Sequence, residues 1–186
     1  MSPSDASGTP GRPARPPEAG LAYGTVLVAD HDPSWAAIFD QLNQDLTAAL
    51  GTLAVGIEHV GSTAVPGIKA KPIIDIAVGI RPVDSESVIE VMSSAGWLFR
   101  GDKGAQGGLL FVYEPQPQVR LAHAHAVEHG GLAWNDYLAF RDLLRGDPAA
   151  RLRYEQTKLQ LAVQFPANRA AYTAGKQHLV RQLMGR

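Results

Sequence analysis

Cysteine does not occur in the 186-residue chain. Disulfides, zinc–thiolate centres and a cysteine nucleophile are thereby excluded, and the redox compartment is left open. Long apolar runs are missing too: none approaches the roughly 20 residues needed to span a bilayer. The first twenty residues lack the apolar core of a secretory signal. These absences point to the cytoplasm and away from a membrane partner. Charge of one sign is also lacking, since 17 basic residues against 18 acidic ones leave a net charge of −1. A dedicated nucleic-acid binder needs a basic surplus to neutralise phosphates, so nucleic acid is not expected as a partner.

What is present is an ordinary globular composition, 45% hydrophobic and 19% charged, in a chain long enough for a sizeable core. Residues 1–22 are rich in Pro, Gly, Ser and Ala and offer little to bury, which reads as a disordered tail. Residues 23–130 read as an α/β core. Thr25–Asp30 reads as a short strand or an extended lead-in. A helix follows, capped by Asp32 with Pro33 at its first position, and Trp35, Ile38, Phe39, Leu42, Leu46 and Leu50 fall at helical spacing. "AVGIEHVGS" and "KPIIDIAVGI" read as strands, Asp84–Ala95 as a helix closed by Gly96, and "WLFRG", "GGLLFVYEP" and "VRLAHAHAV" as three more strands. From residue 131 the pattern turns helical in three blocks, broken at Gly146-Asp147-Pro148 and at Pro166. The fold class is α/β (α+β), a mixed sheet with flanking helices and a C-terminal three-helix segment over 131–186.

One stretch carries chemistry: "HVGSTAVPGIKAKPIIDIAVGI", His59–Ile80. Gly61 at a strand end lets a backbone approach an anion, and Ser62 with Thr63 behind it can donate to phosphate oxygens. Asp75 sits among isoleucines. A carboxylate on a buried strand is costly unless it binds a cation or accepts several hydrogen bonds. A divalent metal bridging phosphates meets that need; capping a neighbouring turn meets it equally.

The run "IEHVGSTAVPGIKAKPIIDI" resembles the signature of the GrpB family of nucleotidyltransferase-like proteins. The resemblance continues through His123–His125, Leu138–Pro148, Arg153–Ala162 and Asn168–Val180, in the same order, so it covers nearly everything after the tail. It implies a fold similar to DNA polymerase β-like nucleotidyltransferases. There a Gly-Ser or Gly-Gly pair precedes an Asp-x-Asp or Asp-x-Glu pair that binds two magnesium ions. Gly61 and Ser62 match the first element and Asp75 one acid of the second; the partner position is Ala77 or Ile73. One carboxylate can hold one hydrated Mg2+ through substrate phosphates but makes a poor two-metal site.

Other residues are candidates to complete the site. His123 and His125 alternate along a strand and share a face. With Asp75 they would give three ligands suited to Zn2+ or Mn2+, or else serve a substrate without metal. Of Glu58 and His59, on opposite faces of one strand, one should reach the cleft. Glu114 is a weaker acid candidate, and His129 reads as a loop residue. "DHD" at Asp30–Asp32 mimics the missing acid pair, but Asp32 is explained as a helix cap. Lys71 and, from stretches resembling family motifs, Arg141, Lys158, Tyr172 and Lys176 are candidates for phosphate contact. Trp35, Phe39, Trp97, Trp134, Tyr137 and Phe140 read as packing residues.

The resemblance thus implies a protein that binds ATP or another nucleoside triphosphate with metal. Its reaction would be transfer of a nucleotidyl group to, or activation of, a small-molecule acceptor, with Asp75 on the metal and His125 or His123 as base. Two alternatives stay open: a non-catalytic nucleotide- or protein-partner-binding module, as in domains attached to dephospho-CoA kinases, and a metal enzyme of different chemistry on His123, His125 and Asp75.

Overall fold

The structure, a computed structural model, describes residues 19–104 and 107–185. In chain order the elements are β1 (Leu21–Ala22), α1 (Ser34–Leu50), β2 (Gly56–Val60), β3 (Ile74–Ile80), α2 (Ser85–Ser94), β4 (Trp97–Asp102), β5 (Leu109–Tyr113), β6 (Val119–Arg120), β7 (Ala122–Glu128), α3 (Leu132–Gly146), α4 (Pro148–Gln164) and α5 (Arg169–Leu183). Five strands form one mixed sheet in the order β2-β3-β7-β5-β4. The central pair, β3 and β7, is parallel, and every other pair is antiparallel.

The sequence alternation of the central strands decides what each face meets. Ile74, Ile76, Val78 and Ile80 of β3 and Ala122, Ala124 and Ala126 of β7 point to one side. There they bury against Trp35, Leu42 and Leu46 of α1 and Val88 and Met92 of α2. Burying one such side chain contributes about 1.5–3 kcal/mol, so this face anchors the fold. Asp75, Ala77, His123 and His125 point to the other side. The register aligns Val60, Asp75, His123 and Val112 in one row and Glu58, Ala77, His125 and Leu110 in the next.

Helix α1 begins as its sequence dictates: Asp32 Oδ1 accepts the Ser34 N–H at 2.8 Å, and Pro33 already has helical dihedrals. The C-terminal helices cover the second face. Ala133 and Trp134 of α3 pack on Val60, Ala77 and Val127. Gly79 makes that possible, because a Cβ there would stand 2.9 Å from the Trp134 ring and 2.7 Å from His129. Asp147 caps α4 by accepting from the N–H groups of Ala149 (2.8 Å) and Ala150 (3.0 Å). In α5, Gly175 lies against Leu161 of α4, so closely that a Cβ would come within 2.5 Å of it. Val65 and Ile68, from the β2–β3 connection, join Leu144, Tyr154 and Leu179 in a second core cluster beneath these helices. No helix of the described residues is long and apolar enough to cross a membrane.

Two expectations shift. The tail assigned to 1–22 falls outside the described residues as far as 18. Ala19 and Leu21 are buried, the Gly20 N–H donates to the Pro72 carbonyl at 2.7 Å, and Leu21–Ala22 pairs with Val119–Arg120. Of the two readings of Thr25–Asp30 the strand is not formed, and the segment leads into α1 with only Ala29 bridging, to Ala70. The β-branched run has a single short partner there, and pairing partners rather than propensity make a strand.

Candidate functional site

Why a strand should end on Gly61-Ser62 and the next one carry a carboxylate is answered by their contact. Asp75 lies opposite Val60, the residue before the turn. Gly61 turns there with φ +70°, and a Cβ on it would fall 2.5 Å from Asp75 Oδ2. Only glycine supplies both that dihedral and that space. Burial alone would push the Asp75 carboxyl up. The hydrogen bond from His123 Nδ1 (3.2 Å), reinforced by the nearby Lys176, outweighs it and holds the pKa below the ordinary value. The side chain is nonetheless 37% accessible, so the carboxylate can be reached by a ligand.

Both histidines are oriented through Nδ1. An ionised carboxylate and a carbonyl can only accept, so His123 Nδ1 donates to Asp75 and His125 Nδ1 donates to the Gly107 carbonyl at 3.1 Å. A neutral ring held in this way keeps its lone pair on Nε2. Burial lowers the His125 pKa and keeps that ring neutral, and the Tyr137 ring packs on it with centroids 5.2 Å apart. The three expected metal ligands share one face. Among the described residues, however, no three His, Asp or Glu side chains group as a ligand set; Asp75 gives one oxygen to His123 instead.

A cavity of about 800 Å3 opens over this face, between the sheet and α3, α4 and α5. One wall is cationic. Lys158 of α4 is buried, and its Nζ donates to Ser62 Oγ at 3.2 Å and to the Lys69 carbonyl. Lys71 and Lys176 both lie over the buried Tyr172 ring, 4.6 and 5.0 Å from its centroid. Burial, reinforced by the neighbouring Lys176, lowers Lys158 to about 7 and Lys71 to about 8. Thr63 also lines the cavity, its hydroxyl 3.1 Å from His59 Nε2. The lining also includes Leu110, Ala133, Tyr137 and Phe140. Tyr137 and Phe140, expected as packing residues, pack against the two smaller core clusters and also line the cleft.

Asp136, Thr173, Gln177 and Arg181 line the same cavity without having been expected there. The four-residue repeat Thr173, Gln177, Arg181 runs beside the stripe of Tyr172 and Lys176 and was the available signal. Arg141 has a different role. Its Nη1 donates to Glu58 Oε2 at 2.7 Å and to the His59 carbonyl at 3.2 Å, and its Nε to Asp142 at 2.7 Å, outside the cavity lining. Glu58 is the member of the Glu58-His59 pair on the cleft face of the sheet. His59 faces the other way, stacked on Phe39 at 4.6 Å; burial lowers its pKa to about 4. Glu114 is engaged by Tyr23 and Arg100, and Asp30 pairs with Lys69. His129 packs on Trp134 with ring centroids 4.8 Å apart.

A mixed sheet bearing one carboxylate beside a glycine–serine turn, roofed by basic helices, defines a nucleotidyltransferase-like fold. The chain superposes on terminal uridylyl transferase 4 from Trypanosoma brucei with bound dUTP at a TM-score of 0.54 and 15% identity, over 84% of this chain and 55% of that one. Residues 25–186 match the family described as GrpB protein, and the chain belongs to that family. It is 38% identical over 163 residues to a UPF0157 protein of Pseudomonas aeruginosa, covering 87% of this chain and 67% of that protein. The crystal structure of the conserved protein GrpB from Enterococcus faecalis matches at a TM-score of 0.71 and 27% identity, covering 86% of this chain and 98% of that one.

Proposed function

We propose that this GrpB protein binds a nucleoside triphosphate in the cleft and transfers its nucleotidyl group to a small-molecule acceptor. The observation that carries the reading is the convergence of Lys71, Lys158, Lys176 and Ser62 on one wall of a cavity whose floor holds an ionised Asp75. Ammonium groups and a hydroxyl beside a carboxylate suit phosphates that arrive with a divalent cation.

The roles follow from the contacts. Ser62 and the three lysines hold the β- and γ-phosphates. The donor set fits one cation: Asp75 has a reachable, ionised carboxylate with Oδ2 beside Gly61. Mg2+ held there and by the phosphates would neutralise charge on the nucleotide. The acceptor hydroxyl attacks the α-phosphorus, a new P–O bond forms, and the bond to the leaving pyrophosphate breaks. His125, with its lone pair on Nε2, takes the acceptor's proton, while the lysine wall keeps the pyrophosphate charge compensated.

The test is a thermal-shift and calorimetric panel of ATP, GTP, CTP and UTP with Mg2+, Mn2+ or Zn2+. A nucleotide that binds only the folded protein raises its melting temperature by mass action. Metal-dependent stabilisation, lost in Asp75→Ala and in Lys158→Met, is expected. If no nucleotide shifts the wild-type melting curve with any of the metals, the transferase reading falls.

A further inference from the structure

Lys158 is 1% exposed, which is rare for a lysine unless it is paired with an acid. Its contacts are instead neutral: the Ser62 hydroxyl, the Lys69 carbonyl and, 4.9 Å away, the Tyr154 ring. One turn earlier on α4, Glu155 accepts the Lys69 N–H at 2.6 Å, so its carboxylate is committed to the other end of the same residue. The charged and titratable groups facing the amine come from three further places. They are Lys71 ahead of β3, Asp75 on β3, and Lys176 with Tyr172 on α5. Lys71 and Lys176 also rest on a tyrosine ring, and among the described residues neither is held by a carboxylate.

Three amines on one wall, one of them out of water, repel one another and lose solvation together. Both effects favour the uncharged form of the most buried amine. A neutral amine has two N–H groups, and Lys158 has two acceptors for them; an ammonium has three. We propose that this wall is a proton-coupled polyphosphate site, in which Lys158 stands as a neutral amine and an arriving phosphate chain converts it to an ammonium whose third N–H donates to a phosphate oxygen. The inference rests on the nucleotide reading above and adds to it the class of anion and the exchange of a proton. A monophosphate ester carries about two negative charges, fewer than the three amines present a site for, whereas a triphosphate chain can balance all of them.

The sign of the linkage follows. A ligand that binds the protonated amine more tightly raises its pKa, so binding draws a proton from solution and weakens as pH rises. The slope is about tenfold in affinity per pH unit for each proton taken up. Burial lowers Lys158 to about 7, so the effect begins near pH 7 and continues to the higher pKa of the bound state.

The experiment is titration calorimetry of the full chain, with Mg2+ present throughout, using ATP and inorganic tripolyphosphate. ATP is measured at pH 8 in two buffers of different ionisation enthalpy. The second ionisation of a phosphate ester lies near pH 6, so at pH 8 protons taken up with ATP go to the protein. About one proton per ATP or more is expected, with AMP bound at least tenfold more weakly. Lys158→Arg keeps a permanent charge, and it is expected to bind ATP with most of the uptake gone. An ATP enthalpy equal in the two buffers, or full uptake in Lys158→Arg, overturns the proposal and leaves nucleotide binding standing. If neither ATP nor tripolyphosphate binds, both readings fall. Should Lys158→Arg fail to fold, the wild-type ATP affinity from pH 7 to 9 decides: a decline supports the coupling and a flat series overturns it.

Discussion

At the scale of single residues, Gly61 is where sequence, geometry and chemistry meet. Its left-handed φ and the missing Cβ let the turn sit on the Asp75 carboxylate. Gly61→Ala asks a side chain to adopt φ +70° and to displace a charged neighbour. The expected cost is about 1–3 kcal/mol of unfolding free energy, together with loss of metal-dependent ATP stabilisation. Chemical denaturation and thermal shift measure the two. A stability within about 0.5 kcal/mol of wild type, the range of an indifferent surface change, would contradict the close contact. Gly61, Ser62 and Asp75 were legible because a glycine, a hydroxyl and a buried acid at strand ends each leave a local signature. Asp136 was not, since an acid on a helix looks the same whether it faces solvent or a cavity.

At the scale of elements, the strands were legible wherever a face is buried. In "AHAHAV" the alanines meet α1 and α2 and the histidines meet the cleft, as alternation requires. Helix α3 was legible as a helix but not in its orientation. An aromatic stripe reads as packing whether it covers a sheet or roofs a cavity, and Tyr137 and Phe140 do both. Arg141 shows the same limit: a basic residue in a motif-like stretch can serve a ligand or another element. Here it fastens α3 to β2 through Glu58 and the His59 carbonyl. Arg141→Met leaves those acceptors without their donor and is expected to cost about 1–3 kcal/mol. ATP affinity measured by calorimetry should be unchanged; a large loss of affinity with intact stability would return Arg141 to the ligand site.

At the scale of the molecule, the cleft exists because α5 is held close over α4 and the sheet. Gly175 sets that distance, between Tyr172 and Lys176 on the same helix. Gly175→Val should overpack the α4–α5 contact by about 1–3 kcal/mol, shift the lysine wall and weaken ATP binding. Gly146 has nothing within 4 Å of a built Cβ. As a control, Gly146→Ala is expected to stabilise the protein by about 0.5–1 kcal/mol and leave ATP binding as it was. Equal ATP affinity in Gly175→Val and wild type would show that the cleft does not depend on this helix contact. The N-terminal strap works at the same scale: the Val26 N–H donates to the Pro166 carbonyl at 3.2 Å, tying the α4–α5 turn back to the start of the described chain.

Trp134 lies on Gly79 and His129, where α3 meets the cleft face of the sheet. Trp35 is sealed against the opposite face, and Trp97 opens β4 toward the far edge. Trp35 and Trp97 therefore share the core beneath α1 and α2, and Trp134 alone lies on the cleft side of the sheet. With Trp35 and Trp97 replaced by phenylalanine, the remaining indole becomes an optical gauge of how α3 rides on the sheet. Its emission would report whether ligand binding moves α3 on the sheet, with no dye attached.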